Sequence, residues 1–303
     1  MNKPKALYHH RHWWIYLTKG ILWGLSKLPH RFLLILGSGI GFIVSQFNTK
    51  NNRIILRNLE LCFPKMSDTE RQRLARRCWQ AHGMGIFEAT KGWWGNKEKL
   101  RKICQIEGEK YLQAALNSGR GGILLTAHFT CSELQGMMIN FLTDYNATAK
   151  HIRHPIADFE VYKARRHHIR QIFFAEEMKK VYQILKKGEM VAFLLDQDYG
   201  HKGTVFAPFF GVSTSTTTAI SRIAKMTHSI VIPNFLVRIP GTARYRLIFQ
   251  QPLENFPSDD PVKDAIQFNQ VIENIVREYP EQYGWTYRRF ATRPIGDNTD
   301  LYQ

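Results

Sequence analysis

Two short polar clusters hold the residues best suited to proton chemistry. His128-Phe129-Thr130-Cys131-Ser132-Glu133 follows an apolar run that ends near Thr126, and Asp196-Gln197-Asp198-Tyr199 follows one that ends at Leu195. A carboxylate on one imidazole nitrogen fixes the tautomer and leaves the other nitrogen free as a base. His128 and Glu133 are five residues apart, about 140° around a continuous helix, so on one helix they would not share a face. They meet if His128 lies in the turn before a helix and Glu133 in its first turns. The spacing alone also suits a strand-end histidine with a structural hydrogen bond beside a solvated helix-start acid.

Other chemistries lack their patterns. There is no G-x-S-x-G, no G-x-x-x-x-G-K-[ST] and no H-E-x-x-H. His151, His154, His167, His168 and His201 are scattered among basic residues without a metal-ligand spacing, so no metal and no cofactor is expected. Cys62, Cys78, Cys104 and Cys131 form no CxxC pair and read as free thiols of a reducing compartment.

The elements that must position these clusters alternate. Gly121–Thr126, Met190–Leu195, Ser229–Ile239 and Arg244–Gln250 read as strands, the last with Tyr245, Leu247 and Phe249 on one face. Helices are predicted from about Ser67 to Trp94, opened by the Ser67–Glu70 capping pattern, and over Leu134–Leu142, Asp158–Phe173, Ala175–Lys187, Thr214–Met226 and Val262–Glu278. Such alternation implies an α/β fold with a mostly parallel sheet sandwiched by helices. Ligands of such sheets gather beyond the carboxyl ends of strands, where both polar clusters stand.

The chain of 303 residues is 44% hydrophobic, with 19 Phe, 12 Tyr and 7 Trp, which excludes a disordered protein. A mean hydropathy of −0.32 excludes a polytopic membrane protein. The formal charge of +17 points to an anionic partner. Its distribution is uneven, because no Asp or Glu precedes Glu60 while nine Lys and Arg do, from Lys3 to Arg57. Trp13, Trp14, Tyr16 and Trp23 interleave with Lys19 and Lys27, as suits a lipid headgroup region. Phe32–Phe47 then runs without charge, shorter than the ~20 residues of a full span, with Gly37 and Gly41 spaced for close helix approach. Residues 1–50 are therefore expected to be a membrane or interface segment, and 51–303 one catalytic domain.

These motifs resemble the lipid A biosynthesis acyltransferases, within the lysophospholipid acyltransferase group. Arg57-Asn58-Leu59-Glu60-Leu61-Cys62-Phe63-Pro64, the His128–Glu133 box, Asp196–Asp198, Val205–Gly211, and Pro280–Trp285 through Arg293-Pro294 occur in the family's order across nearly the whole chain. The lauroyl-type branch, acting on Kdo2-lipid IVA, is the more similar one. One departure is His151-Ile152-Arg153-His154-Pro155, where members often carry tyrosine-arginine-proline.

The resemblance implies a glycerol-3-phosphate acyltransferase-like fold at the bacterial inner membrane, its active site facing the cytoplasm. It implies acyl transfer from acyl carrier protein to a lipid A precursor hydroxyl, with His128 as base and Glu133 orienting it. Arg165, with Arg166 as neighbour and Arg153 as a lesser candidate, is then expected to bind the acceptor, as are Asp196 and Asp198. Anionic inner-membrane lipid is a further expected partner. Alternatives are a myristoyl-type, lysophospholipid or aminolipid acyltransferase. A non-enzymatic basic protein of membrane surfaces or nucleic acid is the rival of another class.

Overall fold

A computed structural model describes residues 12–303, so Lys3, Lys5 and Arg11 of the acid-free stretch lie outside the described residues. Four helices come first: α1 (Trp13–Leu25), α2 (His30–Ser45), α3 (Lys50–Cys62) and α4 (Asp68–Trp94). After α5 (Lys97–Arg101) come β1 (Cys104–Glu107), α6 (Glu109–Asn117), β2 (Gly122–Thr126), α7 (Ser132–Ile139), β3 (Asn146–Thr148), α8 (Pro155–Arg165) and β4 (Ile172–Phe173). The remainder is α9 (Met178–Lys186), β5 (Met190–Leu194), β6 (Thr204–Phe209), β7 (Val212–Thr217), α10 (Ala219–Thr227), β8 (Ile230–Arg238), β9 (Tyr245–Phe249) and α11 (Pro261–Glu278).

Seven strands form one sheet in the order β1-β9-β8-β2-β5-β3-β4. Only β8 and β9 pair antiparallel, so the expected mostly parallel mixed sheet is what forms. The strand β2 is central, with Gly122 in register with Met190 on one side and Ile230 on the other. All its residues are buried, which is why it reads as an unbroken apolar run rather than an alternation. On β9, Tyr245, Leu247 and Phe249 are buried, as their alternation predicts. The Ser67–Glu70 capping box opens α4.

Two expected helices differ. Of Thr214–Met226 only the second half is helical; Val212–Thr217 pairs antiparallel with Thr204–Phe209 as a separate hairpin. A run of Thr, Ser and Val suits an extended, half-buried backbone better than a helix. The helix expected over Asp158–Phe173 starts at Pro155 and ends at Arg165, and Ile172–Phe173 turns into an edge strand beside β3. Pro155 fits the first helical turn, where its missing N–H costs nothing. The strand β1 and the helix α6 were not anticipated.

The acid-free region folds onto this layer. α2 runs antiparallel against α4, and a Cβ on Gly37 would lie 2.6 Å from the Gly83 carbonyl oxygen; one on Gly41 would lie 2.1 Å from that of Trp79. Only glycine permits this approach, as the spacing of Gly37 and Gly41 suggests. Lys91 Nζ donates to the Ser26 and Leu28 carbonyls at 2.6 and 2.7 Å, holding the α1–α2 corner. The opposite sides stay bare: Trp13, Trp14, Leu17, Ile21 and Trp23 of α1 are exposed, as are Phe32, Ile35, Phe42 and Ile43 of α2. Among the described residues no single helix is long and apolar enough to cross a membrane; α2 and α3 qualify only as a pair bent by 92°.

Candidate active site

Because β2 and β5 are parallel neighbours, their carboxyl ends bring His128 and Asp196 together across 68 residues of sequence. His128 Nδ1 is 2.5 Å from Asp196 Oδ1, and the His128 backbone N–H donates to Asp196 Oδ2 at 2.9 Å. The Tyr283 hydroxyl also donates to this carboxylate. Burial pushes the Asp196 carboxyl up, but the imidazole and these hydrogen bonds outweigh it and hold it below the usual carboxylate range. An ionised Asp196 places the proton on Nδ1 and leaves Nε2 with its lone pair toward the cavity.

Glu133 is not the carboxylate on His128, contrary to the expected pairing. It sits in the first turn of α7, and its partners come from α4 and α8. There Arg165 engages it through Nε at 3.1 and 3.2 Å and through Nη2, and Trp93 Nε1 donates to it at 3.0 Å. Burial raises the Glu133 carboxyl, and Arg165 and Trp93 more than reverse that. Arg165 is thus held by Glu133, joining α8 to α7 in the cavity wall, rather than standing open for an acceptor. The remaining expected residues do not converge on the cavity. Asp198 accepts from the backbone N–H of Gly200 and Thr292 at 2.8 and 2.6 Å, which makes it a loop staple. Arg166 donates to the Ile169 carbonyl at 2.8 Å, and Arg153 is exposed.

The His128 turn is held from behind by residues that sequence reasoning missed. Glu88 and Arg238 form a buried ion pair, with Nε–Oε1 2.5 Å and Nη2–Oε2 3.0 Å; Arg238 also donates to Thr130 Oγ1 at 2.6 Å. Tyr245 donates to Glu88 at 2.5 Å and meets His30 of α2 at 2.8 Å, linking the N-terminal helices to the turn. The C-terminal segment closes the front. Thr130 N–H donates to the Gln282 carbonyl at 2.8 Å, and a Cβ on Gly284 would come 2.7 Å from the His128 carbonyl oxygen. Asn58 in turn clamps that segment, donating to the Trp285 and Tyr287 carbonyls at 2.7 and 2.8 Å, which sets the Tyr287 ring 5.2 Å from the His128 ring.

Before His128 opens a cavity of about 970 Å³. Its lining is largely apolar, with Ile139, Ile169, Ile172, Met178, Tyr182 and Ile223 among it; Lys150 and Arg222 supply cations. Among the described residues no group of three or more His, Cys, Asp or Glu is gathered to hold a metal ion. The arrangement suits removal of a hydroxyl proton at the head of a pocket that accepts a hydrocarbon chain.

A family model for bacterial lipid A biosynthesis acyltransferases matches residues 1–292. The lipid A biosynthesis lauroyltransferase of Escherichia coli (strain K12) is 32% identical over 299 residues, covering 97% of this chain and 98% of that protein. The palmitoleoyltransferase of the same strain is 31% identical over 292 residues (96% and 95%), and its myristoyltransferase 25% over 309 residues (98% and 94%).

Proposed function

The chain belongs to the bacterial lipid A biosynthesis acyltransferases and is an acyltransferase of that pathway, and from that premise we propose that it moves a fatty acyl chain from acyl carrier protein to a hydroxyl of Kdo2-lipid IVA. The observation that carries this reading is the His128–Asp196 pair at the head of a cavity with an apolar interior. A thioester is already activated, so what the reaction needs is a base at the acceptor hydroxyl and donors for the developing oxyanion. His128 Nε2 takes the hydroxyl proton as the oxygen attacks the thioester carbon. Asp196 stabilises the imidazolium, which returns the proton to the leaving thiolate. The acyl chain lies along the Ile139–Ile172 side. Glu133 and Arg165 fix the wall that the acceptor passes, and Arg222 and the exposed Arg153 meet its phosphates or sugar carboxylates.

Residues 1–50 seat the enzyme on the inner membrane from the cytoplasmic side, the bare faces of α1 and α2 in the lipid interface. A second groove, of about 1140 Å³, carries Lys65, Arg73, Arg76, Arg77 and Arg277 next to the exposed Phe42, which favours anionic lipid headgroups there. The identity to the lauroyl-type relative, above that to the myristoyl-type one, favours Kdo2-lipid IVA as the acceptor.

The test is a product assay with the purified chain, radiolabelled Kdo2-lipid IVA and carrier proteins loaded with chains of ten to sixteen carbons, beside His128→Ala. The expected result is one added chain with a clear length optimum, lost in the variant. No product from any donor would overturn the acceptor assignment.

A further inference from the structure

Lys150 Nζ donates to Gln197 Oε1 at 2.9 Å, and Gln197 Nε2 stands 3.1 Å from His128 Nε2. The orientation of this amide follows from its neighbours. An ammonium group only donates, so the atom it meets is the amide oxygen, and the NH2 end must turn to His128. His128 Nε2 accepts there because Nδ1 carries its proton toward Asp196, so both ends of the relay demand the same tautomer. Gln197 also hydrogen-bonds the Tyr287 hydroxyl, whose ring packs on His128. An oriented N–H donor, half-buried and aimed at the nitrogen that must receive the acceptor proton, is a group that hydroxyl attack brings beside the thioester carbonyl.

We infer that Gln197 is the oxyanion donor of the acyl transfer and that Lys150 is the residue that positions it. The inference rests on His128 acting as base. The acceptor hydroxyl takes the place of the amide on Nε2, and the N–H turns to the adjacent carbonyl oxygen. As the O–C bond forms, the hydroxyl proton passes to Nε2 and the carbonyl π pair moves onto oxygen, where Gln197 holds it. When the C=O re-forms, the C–S bond breaks and the thiolate leaves with the imidazolium proton. Lys150 polarises the amide through its oxygen and keeps the donor end inward; it lies 4.7 Å over the Tyr199 ring, which fixes its own place. A carbonyl dipole alone would leave the amide free to flip, turning a repelling oxygen toward the oxyanion.

The full chain in detergent tests this with two readouts. In turnover, Gln197→Ala should lower kcat by about 10²-fold with KM within about threefold, as loss of one oxyanion donor does elsewhere. Gln197→Glu, which faces the oxyanion with a like charge, should be at least as slow. Lys150→Ala should lower kcat by about tenfold at unchanged KM and melting temperature, and Lys150→Arg should restore most of it. The second readout is calorimetric titration with a long-chain trifluoromethyl ketone, whose hydrate mimics the tetrahedral intermediate and needs no acceptor. Gln197→Ala should weaken it by about 30-fold or more, and leave the unfluorinated, trigonal ketone unchanged. An unchanged affinity for the hydrate, or near-parental kcat in Gln197→Ala while His128→Ala is inactive, overturns the assignment. Activity retained in His128→Ala instead removes the base. If the parent turns over no lipid A precursor, the ketone titration still decides on Gln197.

Discussion

His128 and Asp196 make a two-point contact in which one carboxylate oxygen meets Nδ1 at 2.5 Å and the other takes the His128 backbone N–H at 2.9 Å. The second bond fixes where the carboxylate stands, independent of the protonation of the ring, so the ring is held in one rotamer and one tautomer. Asp196→Asn keeps the shape and the backbone bond while offering Nδ1 a donor or a neutral acceptor. It should therefore fold with a near-parental melting temperature and lose about 10²–10⁴ in kcat, with KM little changed. Equal turnover in Asp196→Asn and the parent, measured with purified enzyme, would remove Asp196 from the proton relay.

The Glu133–Arg165 pair should behave differently from the His128–Asp196 pair, because its two charges compensate each other across α7 and α8. Glu133→Gln leaves Arg165 half-buried beside a neutral amide. Breaking a buried pair costs about 3–5 kcal/mol, and both side chains here retain a quarter of their exposure, so a loss of roughly 1–3 kcal/mol is expected. The lowered Glu133 carboxyl adds a pH sign: its contribution is full above the unfolded pKa and is lost as pH falls through the lower folded one. Urea unfolding of Glu133→Gln, Arg165→Gln and the double variant checks this. The double variant should be less destabilised than the sum of the singles, and strict additivity would show that the pair is not coupled.

What could be read from the sequence follows from how local each relationship is. His128 was legible because a histidine directly after a buried strand stands at the carboxyl edge of a parallel sheet. Asp196 was legible as a second strand-end acid for the same reason. Their pairing was not, because it depends on β2 and β5 becoming neighbours, and no spacing records strand order. The nearer acid, Glu133, took the role by proximity, although its place in the first turn of α7 aims it at Trp93 and Arg165. Gln197 lay between two aspartates that drew attention to their charge, and only the contact with Lys150 gives its amide a direction. Asp198 shows the converse, an acid beside the site that two backbone N–H groups consume. The Gly37 and Gly41 spacing was legible because small residues four apart on a helix have one common physical use.

That use gives a paired prediction on α2. Gly41→Ala would put a Cβ 2.1 Å from the Trp79 carbonyl oxygen, a backbone atom that cannot yield without α2 moving off α4. A loss of at least about 1–3 kcal/mol is expected, as for overpacking in a core. Gly39→Ala, two residues away, meets nothing within 4 Å and should stabilise by about 0.5–1 kcal/mol through helix propensity. Melting temperatures in one detergent check both. Equal effects of the two substitutions would mean that the helices are not in close contact there.

His168 provides the last prediction, a pH dependence of stability that comes from a buried neutral ring. The ring is buried against Gly136 and close to Glu133, and its Nδ1 has no hydrogen-bond partner. Burial is the main cause that lowers its pKa to about 4, with the Glu133 charge opposing and Lys97, His167 and Arg165 assisting. The folded protein therefore holds His168 neutral over a range in which the unfolded chain, at a pKa near 6.5, binds a proton. Between pH 6.5 and about 4 the unfolded state carries the extra proton, so stability falls as pH falls. Integrated over that window the loss from this one group is about 3 kcal/mol, nearly complete by the lower limit and absent above pH 7. His168→Gln keeps a polar side chain of similar reach but removes the titration. Unfolding in urea at pH 7, 5.5 and 4.5 should show the parent losing stability more steeply than the variant, with the gap opening below pH 6.5. Parallel curves for the two proteins would mean that His168 is protonated, or solvated, in the folded state.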